Sequence, residues 1–142
     1  NVRFGIVLSK DGGALVKMLT PFNLGMGGKI GSGTQYMSWV AIDDATSAIH
    51  HALITDSLKG PVNITAPYPV TNMEFTNTLG KVINRPTVVP MPAFAARLAL
   101  GEMAKDLLLA SAKVAPKKLS DSGFEFQYPE LENALKHVLS VD

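Results

Sequence analysis

Val2-Arg3-Phe4-Gly5-Ile6-Val7-Leu8, closed by the turn signal Ser9-Lys10-Asp11-Gly12-Gly13, decides the fold. The run is apolar almost throughout and rich in β-branched residues, without the alternation of a half-solvated strand. Such continuity predicts a strand covered on both faces, as in a parallel sheet. Ala14 to Leu19 then carries apolar residues at helical spacing. Asn23 to Gly33, with glycines at 25, 27, 28, 31 and 33, reads as a loop or a pair of short ribbons. Gln35 to Ile42 alternates loosely around Tyr36, Trp39 and Val40 and reads as a strand. Asp43 and Asp44 follow, placed to cap the helical run Ala45 to Ile54. After the break at Gly60-Pro61, Val62 to Ala66 is the second clear sheet strand. Strand, helix, strand, helix with buried strands is an α/β pattern.

The later sequence supplies coverage. Thr71-Asn72-Met73-Glu74 has the spacing of a capping box, with Val70 and Phe75 placed as a hydrophobic staple. That helix is expected to run to about Ile83 and to stop at Asn84, before Pro86. Thr87 to Pro90 reads as a brief edge strand, and Ala93 to Ala110 as a long helical stretch interrupted at Gly101. Within it Phe94, Leu98 and Met103, like Met91 just before, are expected in the core. Pro116 opens a short helix over Lys117, Lys118 and Leu119, and Phe124-Glu125-Phe126 alternates like a strand. Pro129 precedes a last amphipathic helix whose apolar face holds Leu131, Leu135, Val138 and Leu139.

Composition narrows the function classes. The 142 residues are 46% hydrophobic and 18% charged, enough apolar material for one globular core. The net charge is +1 with no basic or acidic block, which argues against nucleic acid and anionic membranes as partners. No apolar run reaches the roughly 18–20 residues of a spanning helix. With no cysteine, disulfides, thiolate chemistry and cysteine-ligated zinc are excluded. A cytoplasmic or plastid-stromal setting is compatible with all of this. The chain opens at Asn1 directly into a core strand, so it reads as the C-terminal portion of a larger α/β protein.

Each candidate for chemistry has a simpler structural reading. Gly25-Met26-Gly27-Gly28-Lys29-Ile30-Gly31 lacks the preceding strand, the spacing and the following helix of a dinucleotide loop. His50 and His51 point about 100° apart on one helix, and without a spaced partner no metal site is expected. Ser9 lacks the glycine spacing of a nucleophile elbow. Asp43-Asp44 is explained by capping, and Lys117-Lys118 by solvation. No catalytic residue is assigned.

Several stretches together resemble the epimerase-like, extended short-chain dehydrogenases/reductases. Arg3 to Leu15 is similar to their sixth sheet strand and the turn after it. Met37-Ser38-Trp39-Val40-Ala41-Ile42-Asp43-Asp44 is similar to the element written R-D-F-V-x-V-D-D, and Gly60 to Thr65 to the strand written G-x-x-Y-N-I. Leu100 to Ala104, Val114 to Leu119 and Gly123 to Leu131 resemble the tail of the atypical branch labelled sugar nucleotide epimerase or SulA-like cell division inhibitor.

The resemblance implies the C-terminal part of a Rossmann-type NAD(P)-binding fold plus a small α/β substrate-side subdomain. Residues 1–20 and 43–85 would belong to the former, and residues 21–42 and 86–142 to the latter. It implies NADP(H) for the intact protein, with Phe4, Gly5, Ile6 and Val7 near the nicotinamide and Met37, Ser38 and Trp39 facing a small-molecule substrate. The dinucleotide loop and the Tyr-x-x-x-Lys pair of such enzymes are absent: Tyr36, Tyr68 and Tyr128 are followed four residues later by Val40, Asn72 and Glu132. The chain alone is therefore expected to bind no cofactor. The arginine that opens R-D-F-V and holds a substrate diphosphate is here Met37, which cannot donate a hydrogen bond. Two functions follow as expectations: part of an NADP-dependent epimerase or oxidoreductase, or a non-catalytic module linked to cell or plastid division. The Val2–Leu8 edge is expected to be covered by a preceding N-terminal half or by a second copy.

Overall fold

A computed structural model describes residues 2–102, 104 and 113–141. The opening run is not one strand but two, β1 (Val2–Phe4) and β2 (Ile6–Leu8). The expected strand at Gln35–Ile42 also divides, into β3 (Tyr36–Met37) and β4 (Trp39–Ala41). Both divisions have one cause: each half has a different partner. β1 runs parallel to β5 (Val62–Ile64), whereas β2 runs parallel to β4. β3 pairs antiparallel with β6 (Val70–Thr71).

Gly5 stands at the fork. Its N–H donates to the Ile64 carbonyl at 3.2 Å, and the next N–H, of Ile6, donates to the Ser38 carbonyl at 2.8 Å. A Cβ at Gly5 would lie 2.7 Å from the Ser38 carbonyl oxygen and 2.9 Å from the Thr65 methyl, closer than side chains tolerate. Glycine is needed here for close approach of two backbones.

The β2–β4 pair is covered on both faces, as its continuous apolarity predicts. Ile6, Leu8, Trp39 and Ala41 face one apolar cluster, and Val7 and Val40 face the other. This is the period-two alternation of a strand with no solvent side. The first cluster is closed by α1 (Ala14–Asn23), α3 (Asn72–Ile83), α4 (Ala93–Leu100) and α6 (Leu131–Val138), through Leu15, Phe75, Leu100 and Leu135 among others. The second is closed by α2 (Ile42–Ile54) and α5 (Lys117–Asp121), through Ala45, Ala48 and Leu119. Helices on both faces of parallel strands make the α/β architecture that the sequence predicts.

Local rules account for most boundaries. The capping box at the start of α3 is complete: Thr71 Oγ1 accepts from the Glu74 N–H at 3.2 Å, and the Thr71 N–H donates to Glu74 Oε1 at 3.2 Å. The helix ends on Asn84 in the left-handed conformation, φ 57°. α6 presents Leu131, Leu135 and Val138 inward as expected.

Four expectations need correction. Asp43 and Asp44 do not cap α2; Ala41 is the N-cap and both carboxylates lie in the first turn. Residues 87–90 form no strand, since Pro86 and Pro90 lack donors; the pairing falls instead on a single parallel bridge between Met91 and Ile30. Phe124 and Phe126 do not form a strand either. They pack edge to face at 4.9 Å against the second cluster. Finally, Phe94 and Leu98 project from α4 into solvent, because the buried side of that helix is Ala96 and Leu100. Met103 and residues 105–110 of the expected long helix lie outside the described residues.

The glycine-rich loop is structural. A Cβ at Gly27 would strike the Phe22 ring, and one at Gly28 would overlap the Val89 carbonyl. The loop is pinned from below by Asn72, which is buried and accepts the Ile30 N–H on Oδ1 at 2.7 Å.

Candidate functional site

The parallel pair β1–β5 ends at its carboxyl side on Gly5 and Thr65, beside Ser38. Ligands of open α/β sheets bind outside the carboxyl ends of such strands, where neighbouring strands diverge. The fork at Gly5 is such a divergence, and the Ala66 N–H bridges it by donating to the Trp39 carbonyl at 2.7 Å.

Of the four residues expected near the cofactor, the fork brings all together but presents them differently. Phe4 is 47% exposed, and Val7 is partly buried against the second cluster. Ile6 is a core residue, and the space a side chain would take at Gly5 is filled by Ser38 and Thr65. Among the described residues β1 and β2 each pair with one strand, so each has one edge without a strand beside it.

The three residues expected to face the substrate are buried. Met37 and Trp39 have no exposed surface, and Ser38 almost none. The Met37 sulfur receives the Asn72 side-chain amide at 3.6 Å, while the Trp39 indole N–H donates to the Tyr68 carbonyl at 3.1 Å. Ser38 reaches the C-terminal segment: its Oγ accepts the Val114 N–H at 2.9 Å and lies 3.5 Å from the Val114 carbonyl. Thr65 Oγ1 donates to the same carbonyl at 3.4 Å. Two hydroxyls at the fork thus hold one backbone unit 49 and 76 residues away in sequence. Immediately before it, the Lys113 ammonium lies 4.7 Å from the centre of the Tyr36 ring.

A second polar cluster lies past the carboxyl ends of β2 and β4. Asp44 is 1% exposed and accepts two backbone N–H groups, Gln127 at 2.8 Å and Tyr128 at 2.9 Å. Asp43 pairs with His137 Nε2 at 3.0 Å, and the His137 ring stacks on Tyr128 with centroids 4.3 Å apart. Ser9 Oγ accepts the Asp11 N–H at 3.2 Å, a turn contact. His51 is held by Ser122 Oγ at 2.8 Å and by the edge of Phe124. Each of these groups has a structural partner, and no cluster of three potential metal ligands occurs among the described residues. Lys117 and Lys118 are exposed, as expected, and make surface bonds to Asp121 and to the Lys59 carbonyl.

Sequence reading missed the clamp on Val114 and the clamp made by Asp44. The second left a signal. Of two adjacent aspartates at a helix start, only one can face the same side as Ala45 and Ala48, and that one needs buried donors. The Val114 clamp left none, because a serine between two short strands does not reveal a partner 76 residues away.

Residues 91–138 match the family model described as a domain of unknown function, DUF1731. An epimerase family protein of Mycobacterium bovis is 44% identical over 133 residues, covering 94% of this chain and 44% of the relative. A chloroplastic epimerase family protein of Arabidopsis thaliana is 43% identical over 138 residues, covering 97% of this chain and 40% of the relative. The crystal structure of human epimerase family protein SDR39U1, isoform 2, with NADPH superposes with a TM-score of 0.89 at 38% identity, covering 98% of this chain and 47% of that one. The chain thus spans about half the length of the curated relatives it matches. These relatives support the epimerase side of the resemblance, while the reading as a SulA-like cell division inhibitor gains no support from them. No helix among the described residues is long and apolar enough to cross a membrane. The chain is related over nearly its whole length to the epimerase family proteins, matches DUF1731 on its C-terminal side, and has the fold of the C-terminal portion of a Rossmann-type NAD(P)-binding protein.

Proposed function

We propose that this chain is the substrate-side part of an NADP(H)-dependent epimerase or oxidoreductase acting on a small molecule. The observation that carries the reading is the close superposition on a relative whose structure was solved with NADPH. The division of labour rests on chemistry. NADP(H), when bound, supplies hydride transfer, and this chain supplies the sheet fork at Gly5 beside which it would lie. Phe4 fits contact with the cofactor because it is half-exposed beside the fork. Gly5 allows Ser38 and Thr65 to close around it. The unpaired edge of β1 suits a further strand, and the exposed Val2 and Phe4 on one of its faces suit a packed segment, such as a preceding N-terminal half.

The substrate is not a nucleotide diphosphate sugar on this reading. Met37 stands where a phosphate-binding arginine would be needed, and its side chain is wholly buried on Asn72. It offers neither charge nor a donor.

Calorimetric titration with NADPH tests the proposal on two samples: this chain alone, and the same chain joined to an N-terminal half of the kind its relatives carry. The expected result is no binding for the first and micromolar binding for the second. Micromolar binding by the chain alone would overturn the division of labour, and no binding by the longer protein would overturn the cofactor.

A further inference from the structure

The apolar stripe of α2 is wider than the cluster it closes. Ala45 and Ala48 are buried there, together with Val62 and Ile64 of β5. At helical spacing the stripe continues through Ile49, Ala52 and Leu53, and of these Ile49 is 39% and Leu53 79% exposed. β1 repeats the pattern. Val2 is in register with Val62 and so shares its face of the sheet, yet it is 43% exposed. Between helix and strand runs a groove of about 160 Å³, lined by Val2, Ile49, Ala52, Leu53, Leu58 and Val62, with no charged group in its lining.

Size and charge narrow what the groove can hold. Its volume is below the roughly 300–1,000 Å³ of small-molecule pockets, and its lining offers no charge to a phosphate or a carboxylate. It suits an apolar side chain from protein. Its position beside β1 narrows the source of that side chain. β1 and β5 make a two-stranded sheet of three-residue strands, too little to stand without further strands. A segment that pairs with the unpaired edge of β1 arrives next to the groove, since Val2 belongs to both. The chain has the fold of a C-terminal portion and spans about half the length of its relatives, so the half that precedes β1 in them is the segment in reach. We infer that this groove receives an apolar side chain of the preceding N-terminal half, with Leu53 of α2 as the main contact, and that this anchor joins the two halves beside the β1 edge. The inference rests on the proposed function insofar as that half is present.

The test compares this chain alone with the same chain joined to an N-terminal half of the kind its relatives carry. Leu53→Cys puts a thiol in the groove of a chain that has no cysteine of its own. Its alkylation rate is read on that peptide by mass spectrometry, against the same sample unfolded in urea. The thiol should react at close to the unfolded rate in this chain alone, and about tenfold slower or more in the longer protein. Leu53→Asp gives a second readout. It should leave the urea midpoint of this chain unchanged and lower that of the longer protein, because a carboxylate is buried without a partner only where the groove is filled. NADPH fluorescence is followed on the same samples, so the cofactor reading stands or falls separately. An unprotected thiol or an unmoved midpoint in the longer protein would overturn the inference even where NADPH binds. A protected thiol in this chain alone, together with sedimentation as a dimer, would assign the groove to a second copy and overturn it as well.

Discussion

Asp44→Ala should detach the C-terminal segment from the sheet. Asp44 is buried in the first turn of α2 and accepts the N–H groups of Gln127 and Tyr128 at 2.8 and 2.9 Å. Hydrogen bonds to a charged acceptor contribute about 1.5–3 kcal/mol each, more when their loss strands a donor. The carboxylate also sits at the positive end of the α2 dipole, worth about 0.3–1 kcal/mol. The two donors belong to a part-buried loop that water can partly reach, which places the truncation near the lower end of the sum, about 3–4 kcal/mol. For a chain of this size 1 kcal/mol moves the melting temperature by about 3–4 °C, so Asp44→Ala should melt roughly 10 °C lower. Asp44→Asn should lose about half as much, because one oxygen still accepts while the amide turns a donor toward the second N–H. Calorimetry gives the melting temperatures, and hydrogen exchange gives the local effect at the Gln127 and Tyr128 amides. A melting temperature of Asp44→Ala within about 2 °C of the parent, with both amides still protected, would refute the clamp.

Gly5→Ala should cost about 1–3 kcal/mol, seen as a lower urea midpoint with an unchanged slope, because the added methyl meets the Ser38 carbonyl at 2.7 Å. An unchanged midpoint would mean that the fork can open. The Glu132 carboxyl is held below the ordinary carboxylate range, first by its hydrogen bond to Lys81 and then by that to Lys136. Its folded value being depressed, any stability it contributes is present above the unfolded value and is lost as pH falls through the folded one. An NMR titration should therefore place its midpoint below the ordinary glutamate range, and Lys81→Met should raise it. A Glu132 midpoint unmoved by Lys81→Met would refute the pairing.

Periodicity and capping carried most of the fold into the sequence. The Ile6–Leu8 half of the opening run showed its double coverage, whereas Val2–Phe4 is exposed; Thr71–Glu74 showed its helix start and Leu131–Leu139 its apolar face, because the governing contacts are local or are averages over one face. The fork was not legible. Whether Gly5 ends one pairing and begins another depends on Ser38 and Thr65, which approach from 33 and 60 residues away. Phe94 and Leu98 misled for a related reason: their spacing is that of a buried stripe, yet the neighbours choose the Ala96–Leu100 side. The candidate site was legible in place but not in role. Resemblance pointed to residues 37–39, and the structure gives those side chains to the core and to Val114.

The polar contacts explain why the C-terminal segment follows one path over a core that apolar burial alone would leave free to slide. Leu119, Leu131 and Leu135 are buried there, but aliphatic side chains accept many registers at similar cost. Val114 is fixed by Ser38 and Thr65, residues 127–128 by Asp44, and α6 by the pair of Lys81 with Glu132 at 3.1 Å. The anchors on 114 and on 127–128 use buried acceptors or donors that would be left unmet in any shifted register, and that penalty is what selects one arrangement. Because the first anchor is also the one that carries Lys113 to Tyr36, the selection of register and the placement of the cation are the same event. A loss of the Ser38 hydroxyl should therefore loosen the path of Val114 before it disturbs the core.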